Sequence, residues 1–191
     1  MPARPWDAAA LAELIEDVPD FPTPGVVFKD ITPLLARPDA FSAAVGTLVS
    51  AAPRAVDVVV GMEARGFIFA APVALALGAG FVPVRKPGKL PRSVVAADFA
   101  LEYRSDTLAL HADAIRPGDR VLVVDDVLAT GGTGRATVEL IGRLGGQVVG
   151  VAVLIELAYL DGRRQLAEAG LTAVSAVITV ESEANPGRTD E

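Results

Sequence analysis

The stretch Val121-Leu-Val-Val-Asp-Asp-Val-Leu-Ala-Thr-Gly-Gly-Thr133 constrains this chain more than any other. An apolar, β-branched run ends on two adjacent carboxylates, passes through a short turn and reaches two glycines between threonines. Ala136, Leu140, Ile141 and Leu144 then recur at the spacing of one helix face. Strand, turn and helix in that order form the repeating unit of a parallel sheet. A strand that is apolar on both faces must be covered on both, and helical crossovers supply the cover. Val56-Asp-Val-Val-Val-Gly61 has the same near-continuous apolar character. Alternating strands and helices therefore predict an α/β fold, with a mainly parallel, twisted sheet flanked by helices and right-handed crossovers.

In chain order, the pattern predicts helices over 8–16, 38–52, 67–77, 133–144 and 163–169. It predicts strands over 26–28, 56–61, 81–84, 120–124, 147–157 and 174–180, with 81–84 buried. Asp7 is placed to cap the first helix, and Gly145-Gly146 to close the helix after the central motif. Residues 94–111 alternate and are rich in β-formers, which predicts a hairpin arm less buried than the rest. Residues 181–191 are polar and acidic and are expected to be disordered. Ligands of such sheets bind at the carboxyl ends of the strands. The polar loops 62–66, 85–92 and 125–133 each follow a strand, so they are expected to converge at one end.

Composition narrows the chemistry. The 191 residues fit one domain with a core that needs no staples. With no cysteine, disulfides, thiolate zinc sites and cysteine nucleophiles are excluded, and a reducing cytoplasm fits. A single histidine, His111, excludes a multi-histidine metal site and reads as a surface or packing residue of the hairpin. The formal charge of −7 argues against a nucleic-acid partner, which needs a basic footprint. The uncharged run from Gly66 to Val84 is long enough to span a bilayer, but Pro72, Gly78, Gly80 and Pro83 divide it into a buried helix, a turn and a strand. No membrane partner is expected.

Three features of the loops carry chemistry. Ala129-Thr-Gly-Gly-Thr133 turns into a helix, where unpaired backbone N–H groups and the helix dipole favour an anion. It is a phosphate cradle or an ordinary glycine turn, and it is not a P-loop, since the Gly-Lys-Ser/Thr ending is absent. Asp125 and Asp126 are acceptors suited to two neighbouring ribose hydroxyls, and their charge would stabilise positive charge developing at an anomeric carbon. Side chains of adjacent strand residues point to opposite faces, so for both to reach one sugar the chain is expected to be turning already at this point. Alternatively, they are strand-end carboxylates, one of them capping a turn. Finally, residues 64–97 carry Arg65, Arg85, Lys86, Lys89 and Arg92 and no acid, in a chain that is acidic overall. Such a focused patch suits a small polyanion, although Lys89 and Arg92 also read as solvated loop charges.

The central stretch resembles the signature of the type I phosphoribosyltransferases, which bind 5-phosphoribosyl-1-pyrophosphate. Four more motifs are similar to the adenine-using branch of that family, in the same order and spacing. They are Phe21-Pro-Thr-Pro-Gly-Val-Val-Phe-Lys-Asp-Ile-Thr-Pro33, Gly61-Met-Glu-Ala-Arg-Gly-Phe-Ile-Phe69, Val84-Arg-Lys-Pro-Gly-Lys-Leu-Pro91 and Leu101-Glu-Tyr103. The resemblance covers residues 18–170.

The resemblance implies transfer of the phosphoribosyl group to adenine, giving AMP and pyrophosphate, with Mg²⁺ and in a homodimer. It divides one structural domain into an N-terminal helix and base-binding hood (1–35), a phosphoribosyltransferase core (36–180) with a catalytic hairpin (94–111), and a polar tail (181–191). It assigns Asp125 and Asp126 to the ribose, and Ala129, Thr130, Gly131, Gly132 and Thr133 to the 5′-phosphate. Arg65, Arg85, Lys86 and Lys89 fall to pyrophosphate, the last three partly across the dimer, with a cis peptide between Glu63 and Ala64. Val27, Phe28 and Lys29 would hold adenine, the Val27 backbone reading its Watson–Crick edge. Glu102 would be the general acid/base near the purine N7, and Tyr103 would join it in closing the hairpin over the site. Mg²⁺ keeps its waters and binds through substrate phosphates, so no direct protein ligand is expected, with Asp125 and Asp126 acting at most through water.

Three positions depart from the family pattern. Lys29 stands where arginine is usual, which puts the base contacts in question. Phe99 replaces a tyrosine and Arg104 a glycine in the hairpin. Two other readings share these features: transfer to another base, such as a 6-oxo purine or orotate, and a non-catalytic regulator that senses phosphoribosyl pyrophosphate. The hood and Glu102 weigh against them.

Overall fold

A computed structural model of the chain describes residues 6–101 and 104–182. Its centre is a five-stranded parallel sheet in the order β4-β3-β7-β8-β9, built from β3 (Val58–Met62), β4 (Gly80–Val84), β7 (Arg120–Leu128), β8 (Gln147–Leu157) and β9 (Val174–Val180). Strand alternation divides the core in two. Val59, Leu122, Val124 and Leu154 point to one face, where they meet Leu48 of α3 (Pro38–Ala51) and Phe69 and Val73 of α4 (Gly66–Leu77). Val58, Val60, Val121 and Val123 point to the other, against Leu140 and Ile141 of α5 (Gly132–Arg143) and Leu166 of α6 (Gly162–Glu168). Every residue of β3 is buried, as its unbroken apolar run requires.

The chain passes from β3 outward to β4 and then returns across β3 to β7. Such a reversal opens a crevice at the carboxyl ends of the two strands flanking it. The loop after β3 and the loop after β7 lie there. The antiparallel arm, β5 (Val94–Leu101) paired with β6 (Arg104–His111), is stitched to the core by Arg85 and Ala109, which exchange backbone hydrogen bonds of 3.0 and 2.8 Å. Arg143 of α5 also donates to the Ala96 carbonyl, at 2.6 Å.

Several boundaries differ from expectation. The first helix is only α1 (Ala8–Ala12), capped by Asp7 at 2.8 Å, because the chain leaves it for β1 (Glu16–Val18). β1 pairs with β2 (Phe28–Asp30), which starts two residues later than the pattern suggests, and α2 (Thr32–Leu35) follows. β4 is an edge strand with Phe81 exposed, not a buried strand, and it carries Pro83, which edge positions tolerate. β7 does not turn at the carboxylates. It stays paired with β8 through Asp125 to Leu128. Among the described residues, no helix is long and apolar enough to cross a membrane.

Candidate active site

β7 runs on through Asp125, which pairs with Val153, and the carboxyl groups of Asp125 and Asp126 lie within reach of each other and of Arg65. Asp125 lines the cavity formed with residues 129–134, and its Oδ1 accepts from the Asp126 N–H at 2.9 Å. Asp126 meets Arg65, whose Nε lies 2.6 Å from its Oδ2. Burial pushes the Asp125 carboxyl well up from the usual range, and the neighbouring Asp126 charge pushes it further. Burial also raises Asp126, but the Arg65 guanidinium opposes the shift. The two carboxyls therefore act on each other, and the ion pair of Arg65 is with Asp126.

The turn 129–133 is shaped by close backbone packing. Gly131 caps α5 with φ +85°, and no side chain caps the helix, so the first-turn N–H groups are presented to the cavity. A Cβ on Gly131 would stand 2.7 Å from the Gly162 carbonyl oxygen, and one on Gly162 would stand 2.1 Å from that of Ala129. The two glycines interlock, and the phosphate-type turn rests on the start of α6. Sequence reasoning missed Gly162, which carries no motif of its own.

Arg65 joins three parts of the site. Besides Asp126, its Nη1 donates to the Lys29 carbonyl at 3.2 Å, and its guanidinium carbon lies 4.5 Å from the centroid of the Phe28 ring. Val27, Phe28 and Lys29 line one cavity of ≈ 400 Å³ with Arg65, Val127, Ala129, Leu157, Tyr159 and Leu160. Val127 and Ala129 also line the cavity of the 129–134 turn, so the two spaces adjoin. Leu157, which ends β8, and Tyr159 and Leu160 just beyond it are not singled out in the sequence, because no motif marks them. Lys29 is buried, and its ammonium contacts Asp17 at 2.6 Å, directly across the β1–β2 ladder. Its charge thus clamps the hood, and the residue lines the cavity.

Directly after β3 lies a carboxylate to which the motifs assign no role. Glu63 accepts from the Lys86 backbone N–H at 2.8 Å, from Lys89 Nζ at 2.6 Å and from Arg85 Nη2 at 3.4 Å. Burial would raise its carboxyl, but Lys89, the Lys86 N–H and Arg85 outweigh that and hold it at about 2. Its position between two apolar segments, the same signal that singles out Arg65, marks it in the sequence. Lys86 extends its own ammonium to Asp106, at 2.9 Å. Arg92 turns away from the cluster to the exposed Asp113. The Glu63–Ala64 peptide is cis, as the resemblance implies.

Glu102 and Tyr103 lie outside the described residues, between β5 and β6. The tail 183–191 does so too. His111 ends β6, far along the arm from its 101–104 end. Glu156, at the end of β8, is buried and held by Arg163 through two hydrogen bonds of 2.7 and 2.6 Å.

A parallel sheet with a reversal point, a glycine-built anion turn, strand-end carboxylates and a cationic loop define a protein that handles a phosphorylated sugar. Residues 34–181 match the phosphoribosyl transferase domain. The chain is 64% identical over 170 residues to an adenine phosphoribosyltransferase of Cutibacterium acnes, a match covering 89% of this chain and 96% of that one. It is 58% identical over 164 residues to the enzyme of that name from Thermobifida fusca, covering 85% and 93%. Among solved structures, adenine phosphoribosyltransferase from Rhodothermus marinus superposes with a TM-score of 0.86 at 49% identity, covering 91% and 98%. The Giardia lamblia enzyme complexed with 9-deazaadenine gives 0.87 at 38%, covering 92% and 99%. The chain belongs to the phosphoribosyltransferase family. Within it, these relatives are adenine phosphoribosyltransferases.

Proposed function

We propose that the chain transfers the 5-phosphoribosyl group of 5-phosphoribosyl-1-pyrophosphate to adenine. The C1′–O bond to pyrophosphate breaks, a bond forms from C1′ to the purine N9, whose lone pair is free when the ring proton is on N7, and that N7 proton passes to Glu102. The reading rests on one observation: the hood cavity and the anion turn share the Val127 and Ala129 wall, so a base and a sugar phosphate occupy adjoining spaces. Apolar walls and the Phe28 ring suit a flat base. Residues 129–133 take the 5′-phosphate on backbone N–H groups. Asp125, and Asp126 once Arg65 is drawn to an incoming anion, accept the ribose hydroxyls and stabilise positive charge at C1′.

Arg65, Arg85, Lys86 and Lys89 receive pyrophosphate. Glu102 serves as general acid/base near N7, and Tyr103 closes with it over the site to exclude water. Mg²⁺ would neutralise the leaving pyrophosphate. Among the described residues no group of three or more His, Asp or Glu side chains is placed to hold a metal. The ion would be carried by substrate oxygens and water, with Asp125 and Asp126 acting at most through water. The reading has the protein act in the cytoplasm as a homodimer. Exposed Ile68, Leu75 and Phe81, on α4 and the neighbouring edge strand, supply apolar area for a second copy.

The test is pyrophosphate release from phosphoribosyl pyrophosphate and Mg²⁺ with adenine, hypoxanthine and orotate in turn. Adenine is expected to be fastest. Silence with every base removes the enzyme reading, and faster turnover of hypoxanthine removes the base.

A further inference from the structure

We propose that Glu63 is a positioning residue for pyrophosphate, a buried carboxylate that holds the cationic loop in its anion-receiving shape. The proposal rests on the assignment of that loop to pyrophosphate. The geometry carries it. Oε1 contacts Lys89 Nζ and Arg85 Nη2, while Oε2 takes the backbone N–H of Lys86. One carboxylate thus fixes both the course of the chain at 86 and the stems of the charges on either side. The Glu63 side chain is 9% exposed, whereas those of Arg85 and Lys89 are 33% and 50% exposed. The clamp therefore sits beneath the cations and leaves part of each open to solvent, where an anion approaches.

A second support acts on the same strand end. Arg85 is bound through its backbone to Ala109 of the hairpin, and its Nη1 donates to the Lys89 carbonyl at 3.2 Å, closing the loop on itself. Glu63 ties this closed loop to the end of β3, next to Arg65. The cations after β4 are thereby tied to the strand end that carries Arg65. Without the carboxylate, the lysine and arginine stems must be ordered by the ligand itself.

This arrangement also predicts the form of the effect. Ordering the loop in advance bears on binding of the phosphate-bearing substrate. It does not bear on the base, for which the hood cavity is proposed, since Glu63 does not line that cavity.

The experiment compares wild type with Glu63→Gln and Glu63→Asp. Binding of inorganic pyrophosphate with Mg²⁺ is titrated calorimetrically, and KM is measured separately for phosphoribosyl pyrophosphate and adenine. Glu63→Gln is expected to weaken pyrophosphate binding and raise KM for phosphoribosyl pyrophosphate, each by about tenfold, with KM for adenine and kcat held within about threefold. Glu63→Asp keeps the charge but withdraws it by one methylene, so a rise of about threefold in the same two constants is expected. Unchanged pyrophosphate binding overturns the proposal. So does tighter binding, which would make Glu63 a competitor of the anion, and so does an equal rise in KM for adenine. If Glu63→Gln does not fold, as judged by its thermal melt, Glu63→Asp decides by the same criteria. The titration needs no adenine, so a wild type that binds pyrophosphate yet transfers to no base rejects the assigned reaction without touching this result.

Discussion

The two anion-binding loops of this molecule are built in opposite ways. The turn at 129–133 uses backbone: a left-handed glycine, unpaired helix N–H groups and a second glycine packed beneath, with no charged side chain in the turn itself. The loop at 85–89 uses charge, and its cations are held by Glu63 from below. A backbone site is set by sterics and changes little with pH or salt. A side-chain site must be organised by a counter-charge, and it responds to both. The first kind reads directly from sequence, because glycine spacing is its mechanism. The second reads only as composition until its organising acid is located.

The largest expected effect breaks the backbone loop. Gly131→Val places a branched side chain at φ +85°, against the Gly162 carbonyl. It should lower kcat/KM by about a hundredfold or more and cost about 2–4 kcal/mol of stability, as read by denaturant titration. Wild-type activity in that variant would mean that the turn is not the phosphate site.

Next in size is Arg65→Ala, which removes the charge between the loops and leaves buried Asp126 without its ion-pair partner. A loss of about 10–100-fold in kcat/KM for phosphoribosyl pyrophosphate is expected. Steady-state kinetics with each substrate varied would locate the loss.

The sharpest contrast is in pH. The Glu63 carboxyl is held at about 2, below its ordinary value of 4.5. Its stabilisation is therefore present above pH 4.5 and is lost as pH falls towards 2. Asp125 is shifted upward by burial, so its contribution is present below its ordinary value of 3.8 and is lost as pH rises through its folded value. Glu63→Gln should thus destabilise at pH 7, by about 1–2 kcal/mol after allowance for its half-exposed partners, with the gap closing in acid. Asp125→Asn should stabilise at pH 7, with that gap also closing in acid. Thermal melts from pH 3 to 8 test both signs. Two gaps of the same sign would refute the division between the loops.

Smallest is Arg92→Ala. Arg92 belongs to the basic stretch by sequence but pairs with exposed Asp113, outside the cluster. Pyrophosphate affinity should change by less than about twofold and stability by less than about 0.5 kcal/mol. A tenfold loss of affinity would extend the charge-built site to that end of the loop.

The same division explains what the sequence reveals about this fold. β3, β7, β8 and β9 are legible because two-sided burial demands unbroken apolar runs. The hairpin is legible from its alternation. β1 is not, since Glu16-Asp17-Val18 is exposed along its length and held by its pairing with β2 and by the Lys29–Asp17 contact. β4 misleads, because Phe81-Val-Pro-Val84 has the composition of a buried strand but lies at the sheet edge. In the site, residues 129–133 and the hood announce themselves by motif. The straight run of β7 through Asp125 and Asp126 depends on pairing with Val153 and Ile155, which no local pattern encodes. Likewise, the partners of Lys29 and Glu63 are set by tertiary contact.

The interlock of Gly131 with Gly162 has a consequence for anyone redesigning the molecule. Positions 131 and 162 behave as one unit of variation, although 31 residues separate them. A library that randomises 129–133 to accept a bulkier sugar phosphate would return glycine at 131 for as long as the Gly162 backbone stays where it is. The productive first change is therefore in the connection 158–161, lengthened so that α6 starts further back. Only then does the turn gain room in which other sequences can be sampled.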